Sequence, residues 1–141
     1  MKLAILAVAI GFTLATPHAW AASDSGPKYS PAYERCADKS DGVTVALEVC
    51  YAEEIHRQDA ALNETYKKLM AALDPKRKAA LQRAERAWMA FRDAECAYQS
   101  AADSETTGGS LDVDQCDLDQ TAIRLKSLRD DLSTEKEYGD N

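Results

Sequence analysis

The chain has 141 residues, carries 17 Lys and Arg against 24 Asp and Glu for a formal charge of −7, and contains four cysteines. That length supports one domain with a modest core. So acidic a surface disfavours nucleic acid and anionic membrane and steers encounter toward cationic partners.

Taken in order, the chain opens with a positive Met1-Lys2, an apolar run over residues 3–14, and Pro17-His18-Ala19-Trp20-Ala21 closing on an Ala-x-Ala pattern. This is the pattern of a secretory signal peptide covering residues 1–21. The apolar run is short for a bilayer span, and no later segment is apolar enough to attempt one. The protein is therefore expected to be exported, periplasmic or secreted. Without a cysteine at the cleavage point, no membrane anchor is expected. Loss of Lys2 with the leader leaves sixteen basic against twenty-four acidic residues, a mature charge of about −8.

Residues 22–35 hold Ser, Gly and two prolines and predict a disordered arm, followed by a loop over 36–42. Thr44 can cap a helix over 45–73, in which Ile55, Asp59, Leu62, Tyr66 and Leu69 recur at helical spacing until Asp74-Pro75 stops it. A second helix over 75–101 follows at once, and so short a connection predicts an antiparallel hairpin. Within it, LQRAERAWMAFRDAEC over residues 81–96 places Leu81, Ala84, Trp88 and Phe91 on one stripe, which makes it the expected central helix. Residues 103–109 read as a loop. Ser110 can cap a third helix over 111–133, facing inward with Leu111, Leu118, Ala122, Leu125, Leu128 and Leu132, while Asp112 and Asp114 complement its dipole. Residues 134–141 should fray. The expectation is an all-α, three-helix antiparallel bundle with a folded domain over 36–133, and no internal repeat or strand alternation is visible.

Cys36, Cys50, Cys96 and Cys116 are an even count in a short exported chain, which predicts two disulfides. Cys36–Cys50 with Cys96–Cys116 is preferred, because each pair is close in sequence and ties a loop to a helix end. Cys50–Cys96 with Cys36–Cys116 is the alternative, since the middle cysteines can lie at one level of an antiparallel pair. No Cys-x-x-Cys spacing favours zinc.

Catalytic patterns are weak. His56 is the one histidine remaining after export, it sits beside Glu53 and Glu54 on a solvated face, and position 60 is alanine where a second metal ligand would fall. No nucleophile elbow is present, so neither an enzyme nor a cofactor is expected. Asp112, Asp114, Asp117 and Asp119 have the outline of a calcium loop, but Asp117 occupies the sharp-turn position that needs glycine; an acidic helix start in solvent is preferred. Asp59, Arg92, Asp93 and Arg124 lie near apolar stripes and are expected to form a structural charge network, because isolated buried charge is costly. Trp88, Phe91, Tyr66 and Tyr98 are expected in the core. Gly108-Gly109-Ser110 supplies the turn into the third helix, and with Asp112 it is the candidate partner-binding loop, tethered by a nearby disulfide.

The combination Cys36…Cys50, Asp59-x-x-Leu62-Asn63-x-x-Tyr66-x-x-Leu69, Ala87-Trp88-x-x-Phe91-Arg92-Asp93-x-x-Cys96, Gly108-Gly109-Ser110, Cys116 and Thr121-x-x-Arg124-x-x-x-Leu128 resembles the LprI-type lysozyme-inhibitor domain, a family of small exported bacterial proteins. Glu85 stands where that tryptophan motif commonly has glutamine. The resemblance implies a helical, disulfide-bonded envelope domain whose partner is lysozyme, inhibited to protect the cell wall. Many lysozymes are strongly basic, so a charge of about −8 would steer this chain toward them. The alternative is a periplasmic interaction or scaffold module that binds another periplasmic protein and leaves lysozyme unaffected.

Overall fold

The computed structural model describes residues 26–102 and 107–139, so the expected leader over 1–21 lies outside the described residues. Four helices follow one another: α1 (Pro31–Ser40), α2 (Thr44–Ala72), α3 (Pro75–Gln99) and α4 (Thr107–Gly139), with a 3-10 turn at Ser100–Ala102 extending α3. The all-α class and both staples are as expected from the sequence, but the described residues form four helices, not three. The added one is α1, which occupies part of the expected arm and loop. Ser30 caps it by accepting from the Tyr33 amide, and Pro31 sits in its first turn, where a missing N–H costs nothing. The proline taken as a breaker is a starter.

Asp41 and Gly42 both take left-handed angles, with φ of 49° and 75°, and so return the chain from α1 into α2 within three residues. Asp74 caps α3 by accepting from the Lys76 and Arg77 amides. The tight 72–75 corner sends α3 back antiparallel, and α4 returns alongside α2. Contacts along α4 fix the order: Glu48 meets Ser110 and Tyr51 meets Gln115 near one end, while Arg77 meets Glu135 at the other.

The central helix is α4, not α3. Leu118, Thr121, Leu125 and Leu128 on α4 are essentially sealed from solvent. α2 and α3 both lean on α4 more than on each other. Ala84 and Phe91 of the expected inward stripe are exposed, Phe91 to 53%, and Tyr98 to 77%. Leu81 and Trp88 face inward as expected, but Glu85, Arg92 and Cys96 complete that stripe in place of Ala84 and Phe91. This stripe has the same helical spacing but contains two charges. It wins because the Cys96 staple and a Glu85–Arg124 ion pair both draw that face onto α4. α4 also extends beyond both ends of the expected 111–133, starting at Thr107 and holding its C-terminal turns through Arg77, which donates to both Glu135 carboxylate oxygens at 2.7 and 2.5 Å.

Two apolar clusters divide the interior. One joins Leu62, Leu69 and Leu73 of the α2 end to Leu125 and Leu128, with Tyr66, Leu81 and Trp88 packed against it. The other is small and aromatic: Tyr33, Cys50 and Leu118, flanked by Tyr29, Tyr51 and Ile55.

Candidate functional site

The disulfides are Cys36–Cys50 and Cys96–Cys116, so the staples join α1 to α2 and α3 to α4. Both lie toward the same end of the bundle as the Asp41-Gly42 turn and the start of α4. That end is also where charge accumulates. Residues 93–119 contain eight carboxylates and no Lys or Arg, whereas residues 65–92 contain eight Lys or Arg against only Asp74 and Glu85. A chain that is acidic in total is thus strongly polarised along its axis.

At the acidic end, the Ser110 hydroxyl donates to the Glu48 carboxylate at 2.8 Å, joining α4 to α2. Gly108-Gly109-Ser110 lies within the first turns of α4 and not in a loop before it; Gly109 is buried and Asp112 is exposed. Beside this contact, Val45 and Val49 stand one turn apart on α2, exposed to 69% and 53%, with Val43 at the helix start. Burial raises the Asp114 carboxyl above the usual range, and the neighbouring Glu48 and Asp117 charges raise it further. Asp117 is raised as well, first by burial; Arg92 pulls it down, but Asp93 and Asp59 push it back up. The end therefore combines an apolar ridge with carboxylates that repel one another.

The sequence-derived charge group does not form a single network. Arg92 reaches Asp93 at 3.0 Å and Asp117 at 3.6 Å, and lies over the Trp88 ring at 5.2 Å from its centroid. Arg124 sits apart, donating to Glu85 from Nε at 2.9 Å and from a terminal nitrogen at 2.5 Å. Asp59 acts only as a nearby negative charge on Asp117. The charge partners outside the expected group are Glu85, noted in the sequence only as a departure from the family motif, and Asp117, expected in an acidic helix start facing solvent. Val45, Val49 and Glu48 were missed by sequence reasoning; the one available signal was two valines four apart at the start of an otherwise well-patterned helix.

Behind the ridge, a buried carboxylate locks α1 in place. Glu54, fully sequestered on α2, accepts from the Ser30 hydroxyl at 2.6 Å, the Ser30 amide at 2.7 Å, Arg57 at 2.9 Å and Gln58 at 2.9 Å. Burial alone would raise its pKa; the donors from Ser30, Arg57 and Gln58 outweigh it and hold the carboxyl below its ordinary range. A second set links Tyr29 to Asp119, Gln115 to both, and Tyr51 to Gln115, pinning the segment before α1 onto α4.

Among the described residues, no three His, Cys, Asp or Glu side chains converge where a metal ion could sit. His56 is exposed on α2. Among the described residues, no helix is long and apolar enough to cross a membrane. An open groove of about 310 Å³ between α2 and α3 is lined by Leu62, Tyr66, Trp88 and Met89. Asn63, Gln82, Glu85 and Arg86 also line it, and Glu85 is already engaged by Arg124.

Fold and site together define a small helical domain, stapled twice at one end, whose charge is segregated between its two ends. The chain belongs to the LprI family: the model described as "Lysozyme inhibitor LprI" matches residues 36–128, from the first cysteine to the last of the sealed leucines on α4. An uncharacterized protein of Rhizobium meliloti (strain 1021) is 30% identical over 100 residues, covering 60% of this chain and 70% of that protein. No solved structure matches the chain.

Proposed function

We propose that the protein is an exported lysozyme inhibitor that docks on the enzyme with its acidic, stapled end and so protects the cell wall. The observation that carries this reading is the exposed Val45–Val49 ridge set beside Glu48, Ser110 and Asp112, at the end of the bundle to which residues 93–119 bring eight carboxylates and no Lys or Arg. Membership of the LprI family supports the partner. Segregated negative charge accelerates encounter with a basic enzyme, and the apolar ridge supplies the desolvated contact that holds it. Two disulfides and the Glu54 lock keep the ridge rigid, so little conformational freedom is lost on docking. The chain acts by contact and carries out no chemistry of its own. Its place of action is the periplasm, or the medium if it is secreted.

The test is residual lysozyme activity on cell-wall substrate with increasing protein, at low and high salt, for the native chain and for a Val45→Lys/Val49→Lys variant. Both positions are exposed, so helicity should be retained. The native chain should inhibit, less well at high salt, and the variant should be at least about tenfold weaker, the equivalent of 1.4 kcal/mol. Equal inhibition by the folded variant would remove the ridge from the contact. Lack of inhibition by the oxidised native chain at micromolar concentration would favour the scaffold reading.

A further inference from the structure

The groove between α2 and α3 plays no part in the proposed docking surface. Leu62, Tyr66, Trp88 and Met89 form its apolar side. Asn63 of α2 and Gln82 and Arg86 of α3 form its polar side, and all three are exposed. Spacing explains the convergence. Gln82, Glu85, Arg86 and Met89 fall at i, i+3, i+4 and i+7 on one face of α3, and Asn63 and Tyr66 are a turn apart on α2. Asn63, Gln82 and Arg86 have no hydrogen bond or ion pair among the described residues, whereas Glu85 is already held by Arg124. Leu62, Asn63, Tyr66 and Trp88 are also among the residues that carry the family resemblance. Packing on the leucine cluster accounts for Leu62, Tyr66 and Trp88. It gives no account of an exposed, unpartnered Asn63.

We infer that this groove binds a short acidic saccharide of the cell-wall type, an N-acetylated amino sugar bearing a carboxylate. Its volume of about 310 Å³ is at the small end of ligand sites, with room for a glycan fragment and not for a helix. The Tyr66 and Trp88 rings, with Met89, offer an apolar surface to the C–H side of a sugar ring and to an acetyl methyl. Arg92, over the Trp88 ring at 5.2 Å from its centroid, helps to hold that ring in place. Asn63 and Gln82 each bring donors and an acceptor, which suit hydroxyls and an acetamido group. Arg86 is the one uncompensated charge on the lining, so the matching ligand carries a carboxylate that its planar fork can pair.

Other ligand classes fit less well. A hydrocarbon chain would cover Asn63, Gln82 and Arg86 without pairing them, at a desolvation cost. An extended peptide pairs chiefly through its backbone, and both walls are helices whose own N–H and C=O groups are already bonded, so only side chains are on offer. A polyanion needs more than one free cation. The choice of a wall glycan rests on the exported lysozyme inhibitor proposed above: the groove lies away from the Val45–Val49 ridge and anchors the inhibitor on the polymer that its target attacks.

The test is titration of the oxidised, processed protein, by calorimetry and by fluorescence, with the N-acetylglucosamine–N-acetylmuramic acid disaccharide and with di-N-acetylchitobiose, which lacks only the lactyl group. Trp88 is the one tryptophan left once Trp20 departs with the leader, so its emission reports the groove. The acidic disaccharide should saturate the signal by about 10 mM and bind at least about fivefold more tightly than the neutral one. Arg86→Gln should abolish that preference while leaving the neutral disaccharide within about twofold. Asn63→Ala should weaken both at least about threefold. Positions 63 and 86 are exposed, so both variants should keep the native circular dichroism spectrum. The Val45→Lys/Val49→Lys variant should bind the acidic disaccharide as the native chain does. Saccharide binding without lysozyme inhibition would uphold this site and sink only the docking surface, and inhibition without saccharide binding would do the reverse. No saturable response to either disaccharide, equal affinity for the two, a preference that survives Arg86→Gln, native affinity in Asn63→Ala, or tighter binding of a capped acidic tripeptide would each overturn the inference.

Discussion

The two ends of the bundle are held together by different physics. At the α2–α3 corner, Leu69, Leu73, Leu125 and Leu128 close a dry cluster, and the cationic side chains around it remain in water. At the opposite end the core shrinks to Tyr33, Cys50 and Leu118, and covalent bonds and polar locks take over: two disulfides, the Glu54 set, and the Tyr29–Gln115–Asp119 set. The difference teaches where an interaction surface is possible. An end crowded with carboxylates repels itself and cannot depend on hydrophobic burial, so it must be fixed by other means. Once fixed, it presents that charge outward in a stable shape.

The sharpest way to break this contrast is at the leucine end. Leu128 is fully buried between α2 and α4, so Leu128→Ala removes apolar transfer energy and leaves a cavity. The expected loss is about 3–5 kcal/mol by chemical denaturation. A loss under about 1 kcal/mol would mean that the cluster collapses around the gap and that this end is not the main apolar support.

Next in size is the staple joining α3 to α4. Cys96 and Cys116 are 20 residues apart, and the loop-entropy model assigns such a closure about 3 kcal/mol. A Cys96→Ala/Cys116→Ala variant should lose that amount. It should also lose protection of the residues 107–115 amides from hydrogen exchange before it loses protection of the leucine cluster. Uniform loss across both ends would show that the ends are not separable in stability.

The Glu54 lock sharpens the comparison through pH. Its folded pKa is depressed, so its contribution is present above the unfolded carboxyl range and is lost as pH falls through the folded value. Glu54→Gln keeps the shape but removes the charge, at a cost of about 2 kcal/mol near neutrality. The difference between the two proteins should shrink on acidification. Asp114 and Asp117 behave oppositely: with raised pKa values, their protonation favours the folded state as pH falls into the carboxylate range. A basic partner would hold them ionised, so docking should release protons and weaken at a higher pH than ordinary carboxylates would dictate. Calorimetry in two buffers of different ionisation enthalpy checks the proton release; none would remove these two groups from the contact.

Much of this plan is legible in the residues. The leucines of α4 and the Asp74-Pro75 corner follow from spacing, because core burial and short-loop closure are local rules, and closeness in sequence favours the observed cysteine pairing over its alternative. The α1 helix was legible as well, in Ser30-Pro31, but the prolines were weighed as breakers. The rotation of α3 was not legible. Two stripes of the helix are spaced equally well, and the choice between them is made by Cys116 and Arg124, partners 20 and 39 residues downstream of Cys96 and Glu85. The acidic end was hidden for a similar reason: Glu48 meets Ser110 only after the chain has run out and back through α2 and α3.

The smallest effect concerns a residue at the junction of the two ends. Thr121 is fully buried on α4, between Leu118 of the aromatic cluster and Leu125 of the leucine cluster, and its hydroxyl oxygen has no hydrogen-bond partner. A buried hydroxyl without a partner carries a desolvation cost, and valine has nearly the same shape without that cost. Thr121→Val should therefore change stability by no more than about 1 kcal/mol, in the stabilising direction. Helix propensity does not decide the outcome, since both residues are β-branched and close on that scale. A loss above about 1 kcal/mol would instead show that the hydroxyl is satisfied in solution and that the seam between the two clusters is wetter than its packing indicates.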